Sequence, residues 1–197
     1  MVLLAHQSCA HRQGTTVATT KLMTAAALYE LPETGRFELI QGELVESEWL
    51  GFERSTVGVE IGYHLGKHVK DRGLGMITGA NGGYLLATAP DTVLTPDIAF
   101  VRAERLPPRD ERVGFLELAP DLAVLVLSPS DTIVPIVVRV HTYLVLGVAL
   151  LWLVDPVERS VRVFTTDDLP RTLGIDDTLD GGDVLPGFTV KVAALFP

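Results

Sequence analysis

Pro96–Asp97 stands directly before the apolar run Ile98–Val101, which sets a carboxylate at the mouth of a strand, where it can face a cleft. A carboxylate so placed suits a magnesium ion, which takes one or two protein carboxylates together with waters and substrate phosphate oxygens. The same dipeptide also serves as a plain turn into a strand. Glu38 and Glu43 flank a short turn and would add oxygen ligands if their strands shared that cleft; a solvated hairpin edge is the other reading. His64 and His68 are four apart, so on a helix they share a face as zinc-binding pairs do. No acidic general base lies between them and Lys67 sits beside them, which argues against a metal role. Gly79–Gly83 has neither the spacing nor the lysine of a phosphate-cradling loop, and Ser128–Asp131 reads as a helix cap rather than a nucleophile elbow.

These residues need elements to position them. Thr24 can cap a short helix through Tyr29 and Leu31, ended by Pro32 and Gly35. Phe37–Ile40 and Glu43–Glu46 around Gln41–Gly42 form a hairpin pattern. Between Glu53 and Arg72, Val57, Ile61, Leu65 and Val69 recur every fourth residue and lay one apolar stripe along a helix, with Gly73 placed for a left-handed cap. Strand-like runs follow at Met76–Thr78, Tyr84–Ala87, Ile98–Arg102 and Leu122–Leu127. The last lacks polar alternation and suits a central strand covered on both faces. Over Thr132–Leu146 the β-branched residues favour a strand, whereas length and position favour a crossover helix; a helix is predicted, capped by Ser130 or Asp131 and ended by Gly147. Ala149–Val154 and Ser160–Phe164 read as paired strands, and Ala193–Phe196 as a short terminal helix after a turn-rich stretch from Thr178 to Phe188.

The chain has 197 residues, 47% of them hydrophobic and 21% charged, enough for one ordinary core and unlike a disordered or collagenous chain. One domain over residues 23–197 is expected, after a disordered extension over residues 1–22 that an early initiation codon would explain. The longest strongly apolar run, Tyr143–Val154, is too short for a membrane-spanning helix, which needs about 18 residues or more, so a soluble, cytoplasmic protein without membrane contact is expected. Cys9 stands alone and excludes an internal disulfide or a multi-cysteine metal site. A net charge of −9 argues against a surface that binds nucleic acid all over, though not against a local basic groove.

Five segments in order, Leu31–Val45, Pro90–Val101, Pro120–Asp131, Gly147–Pro156 and Asp177–Phe188, together resemble the Uma-type putative restriction endonuclease family, a bacterial branch of the PD-(D/E)XK nuclease superfamily. The resemblance covers about Met23 to Pro197. It implies an α/β fold with a restriction-endonuclease-like core, a central mixed sheet flanked by helices, preceded by an N-terminal helix and hairpin. It also implies a hydrolase that cuts phosphodiester bonds of DNA with Mg2+ or Mn2+. The family's Pro-Asp acid falls on Asp97 and its hairpin acid on Glu38 or Glu43, so Asp97 and Glu43 are the expected metal ligands.

Three positions depart from the family pattern. Leu125 stands where relatives carry a glutamate, and a leucine has no lone pair to give an ion. The family's helix lysine falls on Arg139, which keeps the charge but, with a pKa above about 12, does not exchange a proton readily. Arg54 stands where relatives often carry a histidine. Val134, Pro135, Val137 and Val138 replace residues commonly charged in relatives, which implies an apolar face buried between copies or a distorted helix.

Two functions follow. In the first, the chain is a magnesium-dependent endonuclease with a degraded site, in which Asp97 is the principal ligand, Glu38 or Glu43 assists and Arg139 steadies the scissile phosphate. In the second, it is a silent nuclease-fold protein that binds nucleic acid or a partner chain, with Arg54, Lys67 and Lys70 as local positive surface, or as no more than a solvated helix face. A homodimer fits either, since nucleases of the fold that the resemblance implies often pair to cut both strands.

Overall fold

The computed structural model describes residues 22–31, 36–47 and 51–197. Thr24 caps helix α1 (Ala25–Tyr29) as predicted, its Oγ1 accepting from the Ala27 N–H at 3.2 Å. The predicted stop at Pro32 and Gly35, and all of the predicted extension except Leu22, lie outside the described residues. β1 (Arg36–Ile40) and β2 (Glu43–Ser47) form the predicted hairpin, paired from Ile40 opposite Glu43 outward. Gln41 and Gly42 both take positive φ, 52° and 78°, the geometry that a two-residue hairpin turn requires and that glycine supplies at little cost.

α2 (Phe52–Arg72) buries Val57, Ile61, Leu65 and Val69, the stripe read from the sequence, and ends on Gly73 in the left-handed region at φ 63°, ψ 30°. Four strands follow: β3 (Gly75–Gly79), β4 (Tyr84–Ala87), β5 (Thr92–Leu94) and β6 (Ile98–Arg102). β5 is three residues long, too short to show an alternation, and the sequence reading missed it. Gly75, at φ 152°, is obligatory in a different way, because a Cβ there would run into the Val101 carbonyl of the paired strand.

β7 (Leu122–Val126) leads into α3 (Ile133–Val145), so the ambiguous segment is a helix. Its N-cap is Thr132 rather than Ser130 or Asp131, because the Asp131 carboxylate instead accepts from the Ser128 N–H at 2.7 Å and closes the preceding turn. Pro135 falls in the first turn, where its missing N–H costs nothing. β8 (Leu150–Asp155) and β9 (Ser160–Thr165) pair antiparallel, and β10 (Arg171–Leu173) adds a further short strand beside β9. The stretch read as turns contains β11 (Thr178–Asp180), which pairs with β12 (Thr189–Lys191); a 3-10 turn over Val192–Leu195 takes the place of the predicted terminal α-helix.

The main sheet has the order β10-β9-β8-β7-β6-β3 and is mixed, with β7 parallel to β8 and the other neighbours antiparallel. A second sheet has the order β2-β1-β5-β4. β7 is buried on both faces, as its unbroken apolar run predicts. Leu122, Val124 and Val126 join Trp152 and the α2 stripe in the largest core, whereas Ala123 and Leu125 turn the other way, towards Val140 and Tyr143 of α3. The parallel β7–β8 pair requires a crossover, and α3 is that crossover. No helix among the described residues is long and apolar enough to cross a membrane.

Candidate functional site

Asp97 and Glu38 are both buried, each beneath a guanidinium. Asp97 is held at the start of β6 by its own N–H, which donates to the Val124 carbonyl at 3.0 Å, and its Oδ2 accepts from the Val126 N–H at 2.8 Å. Its carboxylate also takes both available contacts from Nη2 of Arg54, at 3.0 and 2.9 Å. Arg54 lies in the first turn of α2 on the helix's inward side.

Glu38 lies on β1, and one of its oxygens, Oε1, collects three donors: the Thr95 N–H at 2.6 Å, the Thr95 hydroxyl at 2.8 Å and Nη2 of Arg139 at 2.8 Å. The same Arg139 nitrogen also donates to the Thr95 carbonyl at 3.1 Å. Burial alone would lower the affinity of Arg139 for its proton, but the neighbouring Glu38 carboxylate outweighs it and holds the guanidinium above its ordinary value, so Arg139 carries no proton-transfer role. The two acid–arginine pairs approach one another through their cations, since Arg54 and Arg139 line the same small pocket.

Leu125 is buried on the α3 side of β7. It lines a pocket of about 110 Å³ whose polar walls include Arg54, Arg139 and Asp131. A carboxylate at position 125 would look into this pocket; the leucine leaves it with two guanidiniums, apolar neighbours and one acid, Asp131, whose Oδ2 is taken by the Ser128 N–H. The donor set therefore does not fit a divalent cation. Both buried carboxylates are committed to guanidiniums and the third position offers no oxygen. Among the described residues no group of three or more His, Cys, Asp or Glu side chains could hold a metal ion.

The remaining candidates lie elsewhere. Glu43 is exposed on β2, the edge strand of the second sheet. Lys67 and Lys70 are exposed on α2, and Lys67 pairs with Asp71 one turn on, at 2.9 Å, which raises the lysine and lowers the aspartate. Arg54 points inward and does not share that outer face. His64 and His68 do not act as a pair: His68 is buried against Phe188 and within 3.2 Å of the Pro186 carbonyl, and His64 packs edge-on against Tyr63. Sequence reasoning missed Thr95, whose N–H and hydroxyl fix Glu38; its position two residues before Asp97 was the available signal.

Tyr143 is wholly buried beside Arg139, and burial raises its hydroxyl well above the ordinary phenol value of 10.0, with the Arg139 charge offsetting only part. A group whose acidic proton is held more tightly in the folded state contributes its full stability below the unfolded value and loses it as pH rises. Stability should thus fall above about pH 10, and Tyr143→Phe should flatten that fall; a variant that unfolds in alkali along the parent's curve would remove Tyr143 as its cause. Tyr84, raised by burial though eased by its hydrogen bond with Thr78, accounts for part of what remains.

A mixed sheet flanked by helices carries the Pro-Asp acid on an α2 arginine and the hairpin acid on an α3 arginine. The model of the family described as "Uma2: Putative restriction endonuclease" matches residues 25–193, and the chain belongs to that family. Among solved structures, it is similar to one described as a putative nuclease belonging to DUF820 from Anabaena variabilis, at 21% identity and a TM-score of 0.76, covering 88% of this chain and 97% of that one. This likeness shows a shared restriction-endonuclease-like fold. A comparison with curated proteins finds no match.

Proposed function

We propose that this chain is a silenced member of its nuclease family, one that keeps the fold and a nucleic-acid-facing groove but does not hydrolyse phosphodiester bonds. The observation that carries this reading is the charge arrangement at the centre. Arg54 and Arg139 neutralise Asp97 and Glu38 where the family pattern implies a divalent cation, and Leu125 occupies the place of the remaining oxygen donor. A cation entering beside two fixed guanidiniums meets repulsion as well as a shortage of lone pairs.

Binding is supported by the ground beside this centre. A groove of about 340 Å³ runs between α2 and β3, with Arg54, Ser55 and Thr78 among its walls. Phe52 and Tyr63, both largely exposed, stand on the outer side of α2 with Lys70. Exposed aromatic rings near cations suit stacking on unpaired bases, a sequence-tolerant mode of binding. With a net charge of −9, such binding should be weak and strongly salt-dependent.

A second reading, a Mg2+- or Mn2+-dependent DNA endonuclease using Asp97 with Glu38 or Glu43, draws support from the burial of Asp97 and Glu38 under two arginines that line one pocket. One assay separates the two. Plasmid nicking with magnesium or manganese is measured for the chain as it stands, for Asp97→Ala, and for Leu125→Glu combined with Arg139→Lys. Absence of cleavage by the parent, with cleavage gained by the double variant, is the expected result. Cleavage by the parent that Asp97→Ala abolishes would overturn the silenced reading, and titration of labelled single- and double-stranded DNA reads binding in the same samples.

A further inference from the structure

The outer face of α3 is apolar to a degree that a monomer does not explain. Ile133, Val134, Val137, Val138 and Val145 are all more than half exposed, while Val140 and Tyr143 of the same helix fill the core. Val134, Val138, His141 and Val145 follow the 4-3-4 spacing of a coiled-coil seam, and His141 is exposed with them. β-branched residues are poor choices for an exposed helical surface, where alanine, glutamate or lysine would favour the helix more. A ridge of valines needs a surface to pack on.

We propose that the occupant of this face is a second copy of the same chain, with α3 packed on α3 across a two-fold axis. Three observations favour a like partner. First, the helix presents its own receptacle: beside the valine ridge lies an apolar groove of about 460 Å³, walled by Ile133, Val137 and Leu144 of α3 and by Val157 and Phe164 of the β8–β9 hairpin. A two-fold axis places the ridge of each copy against the groove of the other, the self-complementarity that such an interface demands.

Second, charge permits it there. Copies of a chain carrying −9 repel one another, yet α3 contains no carboxylate and its one permanent cation, Arg139, is turned inward to Glu38. Of the groove's acids, Asp131 and Asp155 are engaged by backbone N–H groups of their own turns, and Glu158 shares the wall with Arg162. Third, the area is adequate. The five exposed side chains offer on the order of 500 Å² per copy and the groove walls extend it, against about 800 Å² per partner in a standard interface. The contact lies on the outer side of the helix whose inner side holds Arg139, so it neither requires nor blocks the acid centre, and it stands whether or not the chain cleaves DNA.

Sedimentation velocity on the full chain over a dilution series tests this directly. The parent should sediment as a reversible dimer. Val138→Asp should weaken dimerisation by at least about thirtyfold in Kd, as expected for a charge placed at the centre of a packed seam. Because the aspartate points to solvent in the monomer, its thermal unfolding, read by circular dichroism at low concentration, should match that of the dissociated parent. His141→Leu completes the apolar seam and should tighten the dimer, an effect that misfolding does not mimic. A parent that stays monomeric up to its solubility limit, or a Val138→Asp variant that dimerises like the parent, would overturn the proposal.

Discussion

Replacing Glu38 with alanine should destabilise the fold by about 3 kcal/mol, towards the lower end of the range of about 3–5 kcal/mol for removing one partner of a buried ion pair. The low end applies because the Arg139 side chain is 28% exposed and water partly screens the charge left behind. The loss is nonetheless large, because one oxygen serves three donors. With it gone, the Thr95 N–H and hydroxyl lose this acceptor together, and the Arg139 guanidinium keeps only the neutral Thr95 carbonyl. Urea unfolding should show the midpoint falling with an unchanged slope. Adding Arg139→Met should recover part of the loss, since the stranded cation is then absent. A Glu38→Ala shift below about 1 kcal/mol would place the pair among weak surface contacts.

Trp152→Ala should cost a similar amount or more, about 3–5 kcal/mol, by opening a cavity at the centre of the largest core. Trp152 is fully buried on β8, parallel to β7 on one side and antiparallel to β9 on the other, and its ring lies 5.7 Å from that of Phe188. Strands on both sides hold the walls apart, so little collapse can fill the space. Its indole N–H is buried without a hydrogen-bond partner among the described residues, so Trp152→Phe should be far milder: it removes that orphaned donor while keeping an aromatic ring. Equal losses for the two variants in chemical denaturation would assign the effect to the polar group and not to volume.

Elements whose patterns repeat were legible from the sequence. The α2 stripe recurs over several turns, and the unbroken apolar runs of β7 and β8 marked strands covered on both sides. The α3 crossover could be placed because a parallel pair needs one, despite residues that favour a strand. The three-residue strands β5, β10, β11 and β12 were not legible, since too few residues are present to establish a period. At the acid centre, the Pro-Asp pattern pointed to Asp97, whereas the hairpin pattern left Glu38 and Glu43 open and favoured Glu43 as the ligand; Glu38 is the buried one and Glu43 is exposed. Which cation meets which acid depends on how far a long side chain reaches between layers, and no spacing along the chain encodes that. Arg54 was read as part of an outer basic surface; the helix turns it inward, about half a turn away from Lys70.

The Arg139–Glu38 contact joins elements that no strand pairing connects, since α3 packs on the main sheet and β1 belongs to the smaller one. It therefore works as a latch as well as a local charge balance. An anionic group that captured Arg139 would withdraw the cation from Glu38 and loosen the hairpin's seat on α3, leaving the Thr95 hydrogen bonds, the β1–β5 pairing and the apolar contacts of Ile40 and Leu94 to hold it. Ligand occupancy and hairpin mobility should then rise together, and amide exchange at Leu39 would register their coupling.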